Sequence, residues 1–213
     1  MHWYNFGHDI AIGVRTTVVA TLAGFALGLA IGVVVTVMRL SPVRPLRAIG
    51  RLYTNLMVNS PLIFIMLFLF YGLPKLNFLP SSFQCAIIGL ALYLGGYCAE
   101  ALRAGVNTVA NGQAEAARAI GLSFGQTLRH IVLPQAARAS IGPMGVLLNA
   151  SFRNIAVAGA ISATDLVFVS KRISEDTTDY YPMFMVQFVV IALLAVFTSV
   201  VAHRLNRRFA IKR

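Results

Sequence analysis

The apolar residues of this chain gather into five long runs separated by polar stretches. The runs fall at about 16–38, 52–73, 83–102, 141–161 and 183–202, and each reaches the roughly 20 residues that an α-helix needs to cross about 30 Å of hydrocarbon. The second run is interrupted only by Asn55, Asn59 and Pro61, and the fourth carries Asn149, Ser151, Arg153 and Asn154 within it. The pattern predicts an all-α membrane protein with five transmembrane helices in a single domain spanning 1–213, its termini on opposite sides of the bilayer. The first run is no cleaved signal, because MHWYNFGHDI has no basic lead and the apolar stretch behind it outlasts a signal core.

Composition agrees with this placement: 58% of the residues are hydrophobic and only 12% charged, with a mean hydropathy of +0.75. Charge then orients the bundle, since cytoplasmic loops retain lysine and arginine. Arg39, Arg44, Arg47, Arg51, Arg103, Arg118, Arg129, Arg138, Arg204, Arg207, Arg208, Lys212 and Arg213 fall on one side. Lys75, Lys171 and Arg172 fall on the other, where Glu175, Asp176 and Asp179 offset them. Thirteen against three puts the N-terminus outside, and the tail and the loop between the third and fourth runs in the cytoplasm. The net charge of +11 is thereby explained by topology. No nucleic acid is called for, because these charges flank membrane ends and are not interleaved with aromatics on a soluble module.

Gly24, Gly28 and Gly32 recur every fourth position on the first helix, which either marks a close helix contact or reflects the frequency of glycine in membrane helices. Cys85 and Cys98 have no metal-ligand neighbours at zinc-site spacings and read as lipid-facing or helix-packing residues, and no cofactor is implied. Arg153 lies midway along the fourth run, where an arginine costs at least about 2.5 kcal/mol and so looks into a bundle or a wet cavity. Its guanidinium suits a carboxylate, making Arg153, Asn154, Asn149 and Ser151 candidates for a substrate path. The competing roles for Arg153 are reaching the outer headgroups and pairing with Asp165.

The stretch from Gly112 to Ala136 is polar where its neighbours are not. Gln113 to Ile120 favour helix, with Glu115 in the first turn where the dipole welcomes an anion. Gly121 suits a left-handed helix end, Ser123 with Gln126 makes a capping box, and Pro134 is expected to kink or break the chain as it re-enters the membrane. Ala116 and Ala117 leave a bare face that a partner can approach. A loop capped at each junction reads as a docking element over about 112–125, in which a short coupling helix is followed by a sharp turn and the start of another helix.

Residues 121–125 also spell G-x-S-x-G, the nucleophile elbow of hydrolases, but the segment before them is helical and no acid and histidine follow in a usable order. No phosphate-cradling G-x-x-x-x-G-K-[ST] occurs, so the chain holds no nucleotide by that route. A self-sufficient secondary transporter or channel subunit is the alternative, against which stand the lack of internal repeats and of paired ionisable groups inside the spans.

Glu115, Ala116, Ala117, Gly121, Ile131, Leu133 and Pro134 reproduce the E-A-A, three residues, G, nine residues, I-x-L-P spacing of ABC importer permeases. YCAEALRAGVNTVANGQAEAARAIGLSFGQTLRHIVLPQA from Tyr97, with MRLSPVRPLR and NSPLIFIMLFLFYGLP, resembles the polar amino acid permeases of the histidine, glutamine and glutamate uptake type, above all the glutamate members. The resemblance implies a half-transporter for a polar amino acid such as glutamate, with a second and different permease chain, a dimer of a separate cytoplasmic ATPase and an extracytoplasmic amino-acid-binding protein. It also implies that Glu115, Ala116, Ala117 and Gly121 are the ATPase-coupling contacts. Two departures bear on the substrate. Val58, Asn59, Ser60, Pro61 and Leu62 stand where the family has R-G-T-P-L, and Arg153, Asn154, Ile155 and Ala156 where it has K-[DN]-[TS]-[SL].

Overall fold

The computed structural model describes residues 3–178 and 180–209; Asp179, Lys212 and Arg213, counted in the charge comparison, lie outside them. Helix α1 (Trp3–Leu40) is apolar on all sides, as a helix surrounded by lipid and protein must be. A short turn, in which the Val43 N–H donates to Ser41 Oγ at 3.1 Å, leads to α2 (Arg44–Asn59). Pro61 then ends α2 by holding Ser60 extended. The chain resumes as α3 (Leu62–Leu67), a π turn (Phe68–Gly72) and a 3₁₀ turn (Leu73–Leu76), along an axis bent 105° from α2. The second apolar run is therefore a broken pair and not one straight span. Among the described residues four helices are continuous candidates for crossing a membrane, and the bent pair is the fifth only if its halves count together.

Helix α4 (Ser82–Asn107) starts on a capping box between Ser81 and Gln84. There follow α5 (Asn111–Ala119), α6 (Phe124–Thr127), a π turn (Leu128–Val132) and α7 (Leu133–Asn154) with a 3₁₀ extension (Ile155–Ile161). Residues 124–161 run as one helical rod, so Pro134 does not break the chain. The wider π turn before it, closed by the Leu133 N–H on the Leu128 carbonyl, opens the ladder where proline has no N–H to donate. Helix α8 (Leu166–Thr177) occupies what the sequence suggested was loop, and α9 (Tyr181–Phe209) is the last described helix.

Helices α1 and α4 form the tightest pair. Gly24, Gly28 and Gly32 face Leu90, Leu94 and Cys98, so the glycine spacing marks a close contact. Cys85 and Cys98 are fully buried packing residues. Helix α2 lies across this pair: the Tyr53 hydroxyl donates to the Leu92 carbonyl at 2.7 Å, and the Tyr97 hydroxyl to the Val58 carbonyl at 3.2 Å. The Arg39 guanidinium joins all three helices, donating to Glu100 Oε1 at 2.8 Å and to Thr54 Oγ1 at 3.2 Å. The helix directions gather the described cations of the larger set at this end. Arg15, near the Gly13–Leu166 contact at the opposite end, raises the opposing count of three to four.

Candidate functional site

Two places collect the polar residues singled out above. At the arginine-rich end, α5 ends on a left-handed Gly121 with φ of +83°. The Gly121 N–H bonds the Arg118 carbonyl at 3.0 Å and the Leu122 N–H bonds the Ala117 carbonyl at 3.0 Å. That pair of crossed bonds satisfies the end of α5 and fixes the chain reversal. Ser123 immediately starts the next helix: its hydroxyl accepts from the Gln126 N–H at 3.3 Å, while Gln126 Oε1 accepts from the Ser123 N–H at 2.8 Å. Ser123 is a cap and not a nucleophile. Gln135 Nε2 donates to Gln113 Oε1 at 3.3 Å, tying α5 to the base of α7.

Glu115, Ala116 and Gly121 are exposed on this turn, but Ala117 is only 2% exposed and packs inward. The bare face is thus one residue narrower than expected. Helix α5 also begins at Asn111, which moves Glu115 out of the first turn and away from the strongest dipole field. Two apolar side chains that the sequence pattern did not single out stand beside the turn: Ile120 is 78% exposed and Phe124 about half exposed. Their signal was an isoleucine and a phenylalanine flanking a glycine turn within an otherwise polar loop.

The second place is a cleft of about 440 Å³ between α7 and α9, lined by Arg153, Asn149, Ser199 and His203 over a floor of Gly142 and Gly145. Asn149 Nδ2 donates to the Ala195 carbonyl at 2.9 Å and to Ser199 Oγ at 2.7 Å, so it clasps the two helices as well as lining the cleft. The exposed Arg153 projects here, giving the cleft a fixed positive charge. Of the four residues expected together, only Arg153 and Asn149 meet. Ser151 is fully buried with its hydroxyl on the Leu147 carbonyl at 2.7 Å, and Asn154 lies outside the cleft lining. Ser199 and His203 were missed because they arrive from α9, some fifty residues on.

No ion pair joins Arg153 to Asp165 among the described residues. Asp165 is 1% exposed, and its Oδ1 caps α8 by accepting from the Phe168 N–H at 2.9 Å. Burial pushes its carboxyl up to about 6, against the pull of the backbone N–H groups around it.

The profile of the family described as "Binding-protein-dependent transport system inner membrane component" matches residues 17–211. The glutamate transport system permease protein GluC of Corynebacterium glutamicum is 33% identical, over 99% of this chain and 98% of that protein. The probable glutamine ABC transporter permease protein GlnM of Bacillus subtilis is 30% identical, over 92% of this chain and 91% of that protein. Among solved structures, an amino acid ABC transporter crystallised with histidines superposes with a TM-score of 0.88 over 96% of both chains at 22% identity. An inward-facing MetNI methionine ABC transporter superposes at 0.76 over 95% of this chain and 97% of that chain at 21% identity. These structural likenesses establish a shared fold.

Proposed function

Because the chain belongs to the family of binding-protein-dependent transport system inner membrane components, we propose that it is the membrane-spanning half of an ATP-driven importer of a polar amino acid. The chain is a transporter subunit and the ATPase is a separate polypeptide. Its partners are a dimer of that ATPase in the cytoplasm, a second and different permease chain, and an extracytoplasmic amino-acid-binding protein. The N-terminus lies outside, and α5 and the tail lie in the cytoplasm.

The observation that carries this reading is the exposed, doubly capped turn from Glu115 to Gly121 at the foot of the continuous 124–161 rod. Glu115, Ala116, Gly121 and the adjacent Ile120 meet the ATPase, while Ala117 seats α5 on the permease. A rod transmits displacement where a flexible loop absorbs it. Movement imposed on the turn therefore reaches Arg153, some thirty residues along the same rod, where the cleft receives the substrate carboxylate. Glutamate is the substrate for which two of the relatives, the GluC proteins, are named, and its carboxylates suit the positive charge of Arg153.

The test is uptake of labelled glutamate by proteoliposomes holding the assembled complex, with ATP supplied on the ATPase side and unlabelled amino acids as competitors. Uptake that proceeds on an ion gradient without ATP would refute it. For orientation, single cysteines in a background lacking Cys85 and Cys98 should label from outside at Asn77 and only after permeabilisation at Gln113.

A further inference from the structure

A second crevice, distinct from the Arg153 cleft, opens on the other side of the α7–α9 contact against α1. It encloses about 510 Å³ and is walled by Leu22, Phe25, Met144, Leu148, Phe197 and Val201. Its lining is almost wholly carbon. The only hydroxyl in it, on Thr198, is taken by the carbonyls of Leu194 at 2.8 Å and Ala195 at 3.1 Å on its own helix. Nothing in the crevice can hold a polar amino acid, and its walls are three membrane-crossing helices.

Its arginine-rich end is marked by charge. Arg138 lies one turn before Ile141 on the stripe of α7 that continues through Gly145, Leu148 and Phe152 along the crevice. Arg204 lies one turn beyond Val201 on α9. Both are exposed, and neither has an ion-pair partner among the described residues. An apolar slot at bilayer depth with two unpaired cations at its mouth has the complementarity of an anionic phospholipid. We infer that this crevice binds one phospholipid with a phosphoglycerol-type headgroup, an acyl chain between α1, α7 and α9 and the phosphate between Arg138 and Arg204. A second copy of this chain is a poor occupant, because it would bring the same basic end to the same mouth.

Each arginine contributes about fivefold to the preference for an anionic over a zwitterionic lipid. The experiment places benzoylphenylalanine at Phe197 in the assembled complex, in nanodiscs mixing phosphatidylglycerol and phosphatidylcholine, and identifies the photoadduct by mass spectrometry. The expected adduct is phosphatidylglycerol, enriched over its share of the bilayer. Arg138→Gln with Arg204→Gln should reduce the enrichment about twenty-fivefold, the corresponding lysine pair should retain most of it, and Leu148→Trp should exclude the chain by filling the slot. An adduct on a protein chain, equal labelling of both lipids, or no lipid adduct in the probe-bearing complex with both arginines intact overturns the proposal, provided that this complex retains ATP-driven uptake, which shows it is folded.

Discussion

Gly32→Ala probes the contact on which the bundle depends most. A Cβ built on Gly32 lies 2.5 Å from Cys98 Cβ and 3.1 Å from the Ala99 nitrogen, against the roughly 3.5–4.0 Å at which carbon atoms rest in contact. Neither neighbour is the free end of a flexible side chain, so α1 and α4 must move apart by about the missing ångström. That separation also stretches the bond from Thr36 Oγ1 to the Ala99 carbonyl, already 3.4 Å long, and loads the Arg39–Glu100 pair one turn on. Overpacking of this kind costs typically 1–3 kcal/mol; about 2 kcal/mol corresponds to a fall of roughly 4–8 °C in Tm for a chain of this size. Gly28→Ala, with Leu94 Cβ at 2.8 Å and the Ala91 carbonyl at 3.1 Å, should cost nearly as much. Gly24→Ala should cost least, since its nearest neighbour at 2.9 Å is Leu90 Cδ2, the far end of a side chain, and no backbone atom is among its three nearest neighbours. The assay is thermal unfolding of the purified protein in detergent, with Gly7→Ala as control because a Cβ there meets nothing within 4 Å. Adding Cys98→Gly removes the atom that clashes, so the double variant should be more stable than the sum of the single effects requires. A Gly32→Ala protein as stable as the Gly7→Ala control, or strict additivity with Cys98→Gly, would show that the glycines are not there for close approach.

Ile120→Asp puts a charge on an exposed apolar contact without touching the permease interior and should reduce ATP-driven uptake at least tenfold while assembly in the membrane persists; unchanged stimulation of the ATPase would remove Ile120 from the docking surface. Arg153→Lys and then Arg153→Gln should raise the substrate concentration needed for half-maximal uptake stepwise, about tenfold in all, as the forked and then the charged contact is lost; an unchanged concentration dependence leaves Arg153 structural. Asp165, whose carboxyl is raised to about 6 in the fold, favours the folded state when protonated, so this contribution is present below its unfolded value near 4 and is lost as pH rises through 6. Asp165→Asn keeps the α8 cap and should flatten that pH dependence of Tm, a difference of about 2 kcal/mol between pH 4 and 7; a variant with the same pH profile as the parent would refute it.

Local chemistry was legible in the sequence. The apolar runs, the capping box at Ser123 and Gln126 and the left-handed Gly121 each depend on neighbours within a few residues, and the structure has them where the pattern put them. Pro61 was equally visible, but hydropathy sums over a window and carries no direction, so one apolar run concealed a 105° bend. At Pro134 the chain does not break: a π turn absorbs the proline, and whether a helix widens or breaks is decided by what packs around it.

Other features belonged to the tertiary structure alone. The inward turn of Ala117 required the body of the permease beneath α5, and the sharing of one cleft by Arg153, Ser199 and His203 required α9 to lie antiparallel to α7. Gly24, Gly28 and Gly32 were ambiguous along the chain because a missing Cβ has meaning only when another backbone occupies its place, and α4 supplied it. Sequence determined most of the apolar helices, the caps around Gly121 and Ser123 and which end is basic, since these follow from solvation and from bonds between near neighbours, whereas α8 and the break within the second run emerged only in the fold. Which faces meet was decided only in three dimensions, because in a chain apolar on nearly every side the hydrophobic pattern favours no face, and close packing and a few buried polar pairs make the choice.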